Sequence, residues 1–402
     1  ILKLKKQIWR CHILMPSVGA VVPTYNSAPY IEKTLLSLCK QSLPLSEIIV
    51  VDDASTDNTV DIVLSLSERY KSIKLKSLSV NSGPAIARNR GLEIINTDLV
   101  LFMDADDIAD SRLVEKEYQR LQELKSVSSG NWVLCHSAYS IIDSSGKLVA
   151  PIIRWKQIYP EETLGYQFVR NHISLSGVLV SKTVVLNVGG FDPLLKFSED
   201  CDLWLRLASY GGFAYVDEPL VQVRRHRNNT SGRLNNVLYA EKTILSKYPL
   251  DVIEGAIYKR HLPWWVNASD FVSILYRLDY WDRGYAVIQE VVNKKSDYAN
   301  GFFFLGLYYL HVGVWKEAAN CFIKAIELEP NNGAALNNLG ALLALGGKAD
   351  EAISLLTKAI ELFPGYLDAG NNLENLKQGQ LNFENVRFTW RELRPVLTRY
   401  QE

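Results

Sequence analysis

The 402-residue chain is short of several things, and each shortage excludes something. Neither charge is in excess. Its 44 basic residues face 44 acidic ones, which argues against a dedicated nucleic-acid binder. Cysteine is scarce: Cys11, Cys39, Cys135, Cys201 and Cys321 are odd in number, far apart, and form no C-x-x-C. A disulfide framework and a cysteine zinc site therefore lack support, and a reducing compartment is expected. No stretch approaches the roughly 20 apolar residues of a membrane-spanning helix. The opening ILKLKKQIWRCHIL has a basic start but no apolar core of signal-peptide length and no small-residue cleavage pattern. Met15 follows as a candidate natural start, so residues 1–14 are expected to be upstream sequence without fold content. The alternative is a basic peptide touching anionic lipid.

What is present is an ordinary globular composition, 48% apolar and 22% charged, with length enough for two domains. From about Val18 to Val223, β-branched runs alternate with helical patterns. VGAVV precedes APYIEKTLLSLCKQ, whose Ile31, Leu35 and Leu38 share one helical face; EIIVVD precedes NTVDIVLSLSERY, with Asn58 and Thr59 available as caps. IKLKSL then precedes GPAIARNRGLEII, and DLVLFMD precedes SRLVEKEYQRLQEL. Strict alternation predicts an α/β domain with a mainly parallel sheet covered on both faces. Ligands bind such sheets beyond the carboxyl ends of the strands. Thr24, Tyr25, Asp52, Asp53 and the Asp104 cluster all fall there and should converge on one edge.

One run stands out. VLFMDADD drives four apolar residues into Asp104, Asp106 and Asp107, carboxylates that repel unless a cation or partner relieves them. If strand geometry persists, Asp104 and Asp106 face one way and Asp107 begins the turn.

After about Arg233 the texture becomes aromatic-rich helix with a 34-residue period. Phe302, Leu305, Gly306, Tyr309, Ala318, Phe322, Ala325 and Pro330 are matched one period later by Leu336, Leu339, Gly340, Leu343, Ala352, Leu356, Ala359 and Pro364. Small residues let paired helices approach, and the proline stops the second helix. This resembles the tetratricopeptide repeat. Clear units cover 299–332 and 333–366 within a helical repeat region 265–402. A degenerate unit precedes them, with Trp281 where Trp315 sits, and a partial one follows, its NNLE at Asn371 echoing NNLG at Asn337. Two units bury too little to stand alone, so one end should pack on the first domain. Residues 233–264 read as a helical linker.

Three constellations carry chemistry. VVPTYN, VVDDASTDNT and NSGPAIARNRG are singly only turns, but together with DAD they resemble the inverting family 2 glycosyltransferases of GT-A fold, over roughly Ser17 to Ser231, within a domain drawn at 15–232. Tyr25 offers a face for a base, and Asp52 or Asp53 can accept a uracil N3–H, although Asp53 can equally only cap its loop. Arg88 lies early in a helix, where phosphate oxygens are favoured. The resemblance implies a nucleotide-sugar site, a UDP-sugar above all, from Pro23, Thr24, Tyr25, Asp52, Asp53, Arg88, Asp104 and Ala105. It gives Asp106 to a divalent cation, and hard oxygen ligands favour Mg²⁺ or Mn²⁺. In FSEDCDLWLRL, Leu203, Leu205 and Leu207 with Trp204 suggest a buried helix, and the resemblance implies Asp200 as general base, Glu199 and Asp202 as supporting acids, and Trp204 on the acceptor side or in support. In VRRHRNNTS it implies His226 in the metal shell and Arg224 in support.

The function so implied is inverting transfer to an acceptor hydroxyl of a glycan, lipid-linked glycan or protein, in cell-surface polysaccharide assembly. The site would be cytoplasmic, peripheral at the inner face of a membrane. The repeats imply a protein partner or self-association. Two other readings compete: a repeat-based adaptor with a silent catalytic domain, and a sugar-nucleotide pyrophosphorylase, whose Gly-rich phosphate loop VVPTYNSAPY lacks. The sugar pocket is expected from the segment between Ile141 and Gly177, including Trp155.

Overall fold

The computed structural model describes residues 16–127, 130–226 and 234–391. The expectations for residues 1–14, Met15 and residues 227–231 lie outside them.

The first half alternates as expected: β1 (Val18–Thr24), α1 (Ile31–Cys39), β2 (Glu47–Asp52), α2 (Thr59–Arg69), β3 (Ile73–Ser77), α3 (Pro84–Ile94) and β4 (Leu99–Phe102). Next come β5 (Ile108–Ala109), α4 (Leu113–Val127), β6 (Trp132–Ile142), α5 (Pro160–Val169), β7 (Val178–Ser181), α6 (Lys182–Asn187), α7 (Glu199–Ala208) and β8 (Gly212–Arg224). Every residue of β1 and β2 is buried because alternate side chains serve different layers. Ala20, Val22, Ile48 and Val50 face α1, α2 and α4, whereas Val21, Ile49 and Val51 face α3 and α7. Gly91 of α3 makes this second layer tight: a Cβ there would meet Val21 at 2.4 Å.

The eight strands lie in the order β3-β2-β1-β4-β7-β6-β8-β5. The β3-β2-β1-β4 half is parallel throughout, which sets the ends of β1, β2 and β4 on one edge. The other half is mixed. β7 runs antiparallel to both β4 and β6, β6 and β8 pair in parallel, and β5 runs antiparallel to β8. Pro219 sits in β8 where the register with β6 shifts, as a proline without a ladder donor must. The short β5–β8 pairing has a functional result: it carries the end of β8 to the turn that follows β4.

One capping expectation fails. Neither Asn58 nor Thr59 caps α2 through its side chain. Asp57 takes that role, accepting from the Thr59 N–H at 3.0 Å and hydroxyl at 2.5 Å, because the Thr59 oxygen is already engaged by the Ser27 N–H.

Among the described residues after β8 the regular elements are helices: α8 (Leu234–Leu245), α9 (Leu250–Tyr258), α10 (Trp264–Arg277), α11 (Trp281–Lys294), α12 (Ala299–His311), α13 (Trp315–Leu328), α14 (Gly333–Leu345), α15 (Ala349–Leu362) and α16 (Leu367–Lys377). The pairs α10/α11, α12/α13 and α14/α15 are successive repeat hairpins. Their glycines allow the close approach: a Cβ on Gly306 would meet Phe322 at 2.7 Å, and one on Gly340 would meet Leu356 at 3.0 Å. The stretch read as a linker is α8 and α9, and it does not hang free. Ile244, Leu245, Ile253 and Ile257 join Phe271, Ile274 and Leu275 of α10 in one apolar cluster with Phe168 of α5 and Leu205 of α7. No helix among the described residues is long and apolar enough to cross a membrane.

Candidate active site

The parallel half sets Thr24 level with Asp52 at the ends of β1 and β2. Both keep a buried polar atom without a partner, the Thr24 hydroxyl and Asp52 Oδ1, while Asp52 Oδ2 accepts only the Ser55 N–H at 3.2 Å. Orphaned buried polar groups are costly, and these two are available to bond a ligand. Tyr25 beside them is 48% exposed, its ring free to receive a flat base. Asp53 behaves differently. Its two oxygens accept the Ser82 and Gly83 N–H groups at 2.7 Å each, which fastens the loop leading into α3. Of the two roles left open for Asp53, loop anchoring is the one its geometry occupies. Pro23 and Ala105 are buried.

β4 stops at Phe102, so strand alternation does not reach the acids; a turn does, closed by the Asp107 N–H on the Asp104 carbonyl at 3.3 Å. The turn points its carboxylates apart. Asp104 accepts from Arg88 Nη2 at 2.7 Å, Asp106 meets His226 Nε2 at 2.9 Å, and Asp107 accepts the Arg224 N–H at 2.6 Å. Burial, with the charges of Asp106 and Asp104, pushes the Asp107 carboxyl well above its ordinary range. The Thr34 hydroxyl, between the Ala105 and Asp107 carbonyls at 2.9 and 2.8 Å, and Ser176, which accepts the Asp104 N–H at 3.0 Å, hold the turn's backbone. Arg224 is 2% exposed and grips it from behind, donating to the Asp106 carbonyl at 2.8 Å and the Asp143 carbonyl at 2.8 Å. His226 stacks on Tyr30, with ring centroids 5.1 Å apart.

Arg88 departs from the phosphate contact expected of it. Its guanidinium is spent on two carboxylates, Asp104 and, through Nη1 at 2.6 Å, Glu199; its buried Nε alone has no partner. Glu199 opens α7, and Asp200 follows. The Asp200 carboxyl is pushed up to about 6 by burial and the neighbouring Glu199 charge, against the opposing pull of the Cys201 N–H, Arg88 and Asn171. Asn171 donates to Asp200 Oδ2 at 3.0 Å. Ser198, which precedes the pair, holds a left-handed φ of 58°. Asn26 and Ala54, in the loops after β1 and β2, share that rare conformation, which costs on the order of 1–3 kcal/mol and concentrates at functional sites.

Two sequence expectations need correction. Trp204 does not face an acceptor: it is fully buried with Val100, Phe102 and Val178, because α7 turns its Leu203–Trp204–Leu207 face to the sheet. Asp202 is likewise committed elsewhere, to Arg206 at 2.6 Å and Lys247 at 2.7 Å. Asn171, Tyr30, Thr34 and Ser176 carry no sequence signal that singles them out. Trp155 stacks on His172 at 4.6 Å, next in sequence to Asn171, so the segment between Ile141 and Gly177 does border the acid.

For a divalent cation, Asp106 and His226 are suitable donors and already adjacent. Among the described residues no cluster of three His, Cys, Asp or Glu side chains forms a ready-made site. A two-residue donor set suits a cation that draws its remaining ligands from substrate phosphates and water.

Comparison with known proteins places the chain in a family. The profile of glycosyl transferase family 2 matches residues 20–167, and a tetratricopeptide repeat profile matches residues 321–354. A putative teichuronic acid biosynthesis glycosyltransferase of Bacillus subtilis, TuaG, is 31% identical over 57% of this chain and 86% of its own. An uncharacterized glycosyltransferase of Haemophilus influenzae is 32% identical over 36% of this chain; the match spans 55% of that relative. The solved structure of S. aureus TarS 1-349 in complex with UDP superimposes over 94% of this chain and 98% of that one, with 19% identity and a TM-score of 0.46. The chain belongs to the family 2 glycosyltransferases, its α/β catalytic domain followed by tetratricopeptide repeats.

Proposed function

We propose that this site transfers a sugar from a UDP-sugar to an acceptor hydroxyl with inversion at the anomeric carbon. The observation that carries the reading is the Arg88 bridge, which ties the Asp104 turn to the Glu199–Asp200 pair and so sets a donor side beside an acceptor side. Tyr25 receives the base, and Asp52 Oδ1 accepts the uracil N3–H. A Mg²⁺ or Mn²⁺ held by Asp106 and His226 would neutralise charge on the diphosphate. Asp200 takes the acceptor proton as the hydroxyl oxygen attacks the anomeric carbon. The bond to the diphosphate breaks and its electron pair leaves with the nucleotide. Asn171 aims the base, and Arg88 is a positioning residue, holding Asp104 and Glu199 apart at a fixed span. The kinship to a putative teichuronic acid biosynthesis glycosyltransferase supports a glycan acceptor in a cell-surface polymer.

Incubation with a panel of nucleotide sugars, with release of nucleoside diphosphate followed, tests this. UDP release from one or more UDP-sugars is expected. Asp200→Asn should lower it by about 10²- to 10⁴-fold and leave UDP affinity within about twofold. A fully active Asp200→Asn, or pyrophosphate as the released product, overturns the proposal.

A further inference from the structure

Asn171, which donates to Asp200, is itself held from both sides. On one side its Oδ1 accepts the Ile173 N–H at 3.1 Å, and Ile173 is buried in the apolar layer of α3 and α7. That bond occupies the amide oxygen and leaves Nδ2 for Asp200. On the other side the chain leaves α5, whose last residue is Val169. The Val169 carbonyl lies in the final turn of the helix, where carbonyls have no partner within it. Its partner comes from the repeats: Arg277 Nη2 of α10 donates to it at 3.3 Å across 108 positions of sequence. A cation is favoured at such a helix end.

Two further contacts aim the guanidinium. Arg277 Nε donates to the Ser273 carbonyl one turn earlier at 3.3 Å, and Nη1 lies 3.7 Å from Glu241 of α8. Packing does not duplicate the tie to Val169. Val169, Asn171, Cys201, Glu241 and Arg277 all border one cavity between α5, α7, α8 and α10, so the stretch that carries Asn171 has open space on this side. A void supplies no opposing atoms, and polar bonds must hold what filled volume does not.

We propose that Arg277, in the first repeat hairpin, is a positioning residue for Asp200, acting through the Val169 carbonyl and the Asn171 amide. The inference rests on the reading of Asp200 as base of the proposed transfer. It gives the repeats a part in the chemistry, because α10 sets where the hydrogen bond to the base is made. With Arg277 cut short, the stretch from Val169 to Asn171 relaxes toward the cavity and the Asn171–Asp200 bond lengthens. The carboxylate then loses a donor that favours its charged form.

Arg277→Gln in the full chain is the test. The glutamine amide nitrogen stands where Nε stood, so the bond to Ser273 is kept while the reach to Val169 is lost. The readout is the protonation midpoint of Asp200, followed through the carbon-13 resonance of its carboxyl and assigned by its absence from Asp200→Asn. Asn171→Leu, which removes the donor outright, should raise that midpoint by about one pH unit. Arg277→Gln should raise it by about half a unit, and by less than about 0.2 unit when Asn171 is already leucine. Glu199 and Arg88, the charges that bear on Asp200, are the same in every variant. A purely structural Arg277 would lower the melting temperature and leave the midpoint alone. A through-space effect of its charge would raise the midpoint equally in both backgrounds. Either result overturns the proposal. Should Arg277→Gln not fold, Arg277→Lys is read in its place, since its single ammonium goes to the Glu241 carboxylate before a neutral carbonyl. A smaller rise is then expected, and none overturns the proposal. The midpoint is read without turnover, so a native chain that releases no UDP would end the reading of Asp200 as base while these shifts still decide the role of Arg277.

Discussion

Arg88 and Glu199 meet at 2.6 Å across 111 positions of sequence, and the residue after Glu199 is the candidate base. The same guanidinium holds Asp104, so one buried cation sets the distance between the two acidic elements. Arg88→Met would leave Glu199 buried beside Asp104 with no counter-charge. Breaking a buried pair costs about 3–5 kcal/mol, and the low end applies because Asp104 is 38% exposed. Urea unfolding should show that loss. Arg88→Met with Glu199→Leu should recover part of it, since the stranded charge is then gone.

The pH profile reports on Asp200. As a base it must be ionised, so kcat/KM should fall as pH drops through about 6, the position to which burial and Glu199 raise it. Asn171 donates to the charged form and holds the value down, so Asn171→Leu should move this acid limb upward. A stability effect accompanies it. The folded state holds the Asp200 proton more tightly than the unfolded chain does, so stability contributed by this group is lost as pH rises from about 4 to about 6. Asp200→Asn should therefore melt higher than the parent at pH 8 and show little difference at pH 4.

Divalent cation should strengthen UDP binding through Asp106 and His226. Calorimetric titration with and without Mn²⁺ measures the gain. Asp106→Asn should reduce the metal-dependent part by about tenfold or more, with metal-free affinity little changed. His226→Leu should have a smaller effect in the same direction. Chelator should return the native chain to its metal-free affinity.

Within the repeats, space decides which glycines can change. Gly306→Leu would drive its Cβ to 2.7 Å from the Phe322 ring and should cost about 1–3 kcal/mol. At Gly255 in α9 a Cβ meets nothing within 4 Å, so Gly255→Ala should stabilise by roughly 0.5–1 kcal/mol. Thermal melts of the two variants should move in opposite directions.

Much of this was legible from residue order. Val18 to Phe102 translated into β1 to β4 because the strands of its centre are continuous apolar runs buried on both faces, which leaves little ambiguity of period. The repeats were legible because Gly306 and Gly340 recur with their partner side chains at a fixed interval. The antiparallel β7 and the long β6–β8 pair were not. Trp132–Ile142 buries His136, Ser137 and Ser140 among its apolar residues, which blurs a strand signal, and its partner lies some 80 residues on. Within the site, the acids announced themselves by clustering, whereas Arg88–Glu199 and Asn171–Asp200 are contacts only tertiary packing creates. Trp204 misled because successive residues on a helix point about 100° apart, and its own direction is into the core.

One helix belongs to both halves of the molecule. Phe271, Ile274 and Leu275 of α10 pack toward α5 and α7, while Ala268, Val272 and Tyr276 on the adjoining face pack into the repeats. No cut in the chain can give each half its own copy. The solenoid and the transferase should accordingly melt in a single calorimetric transition, and a truncation made before α10 would strip the catalytic half of its own foundation.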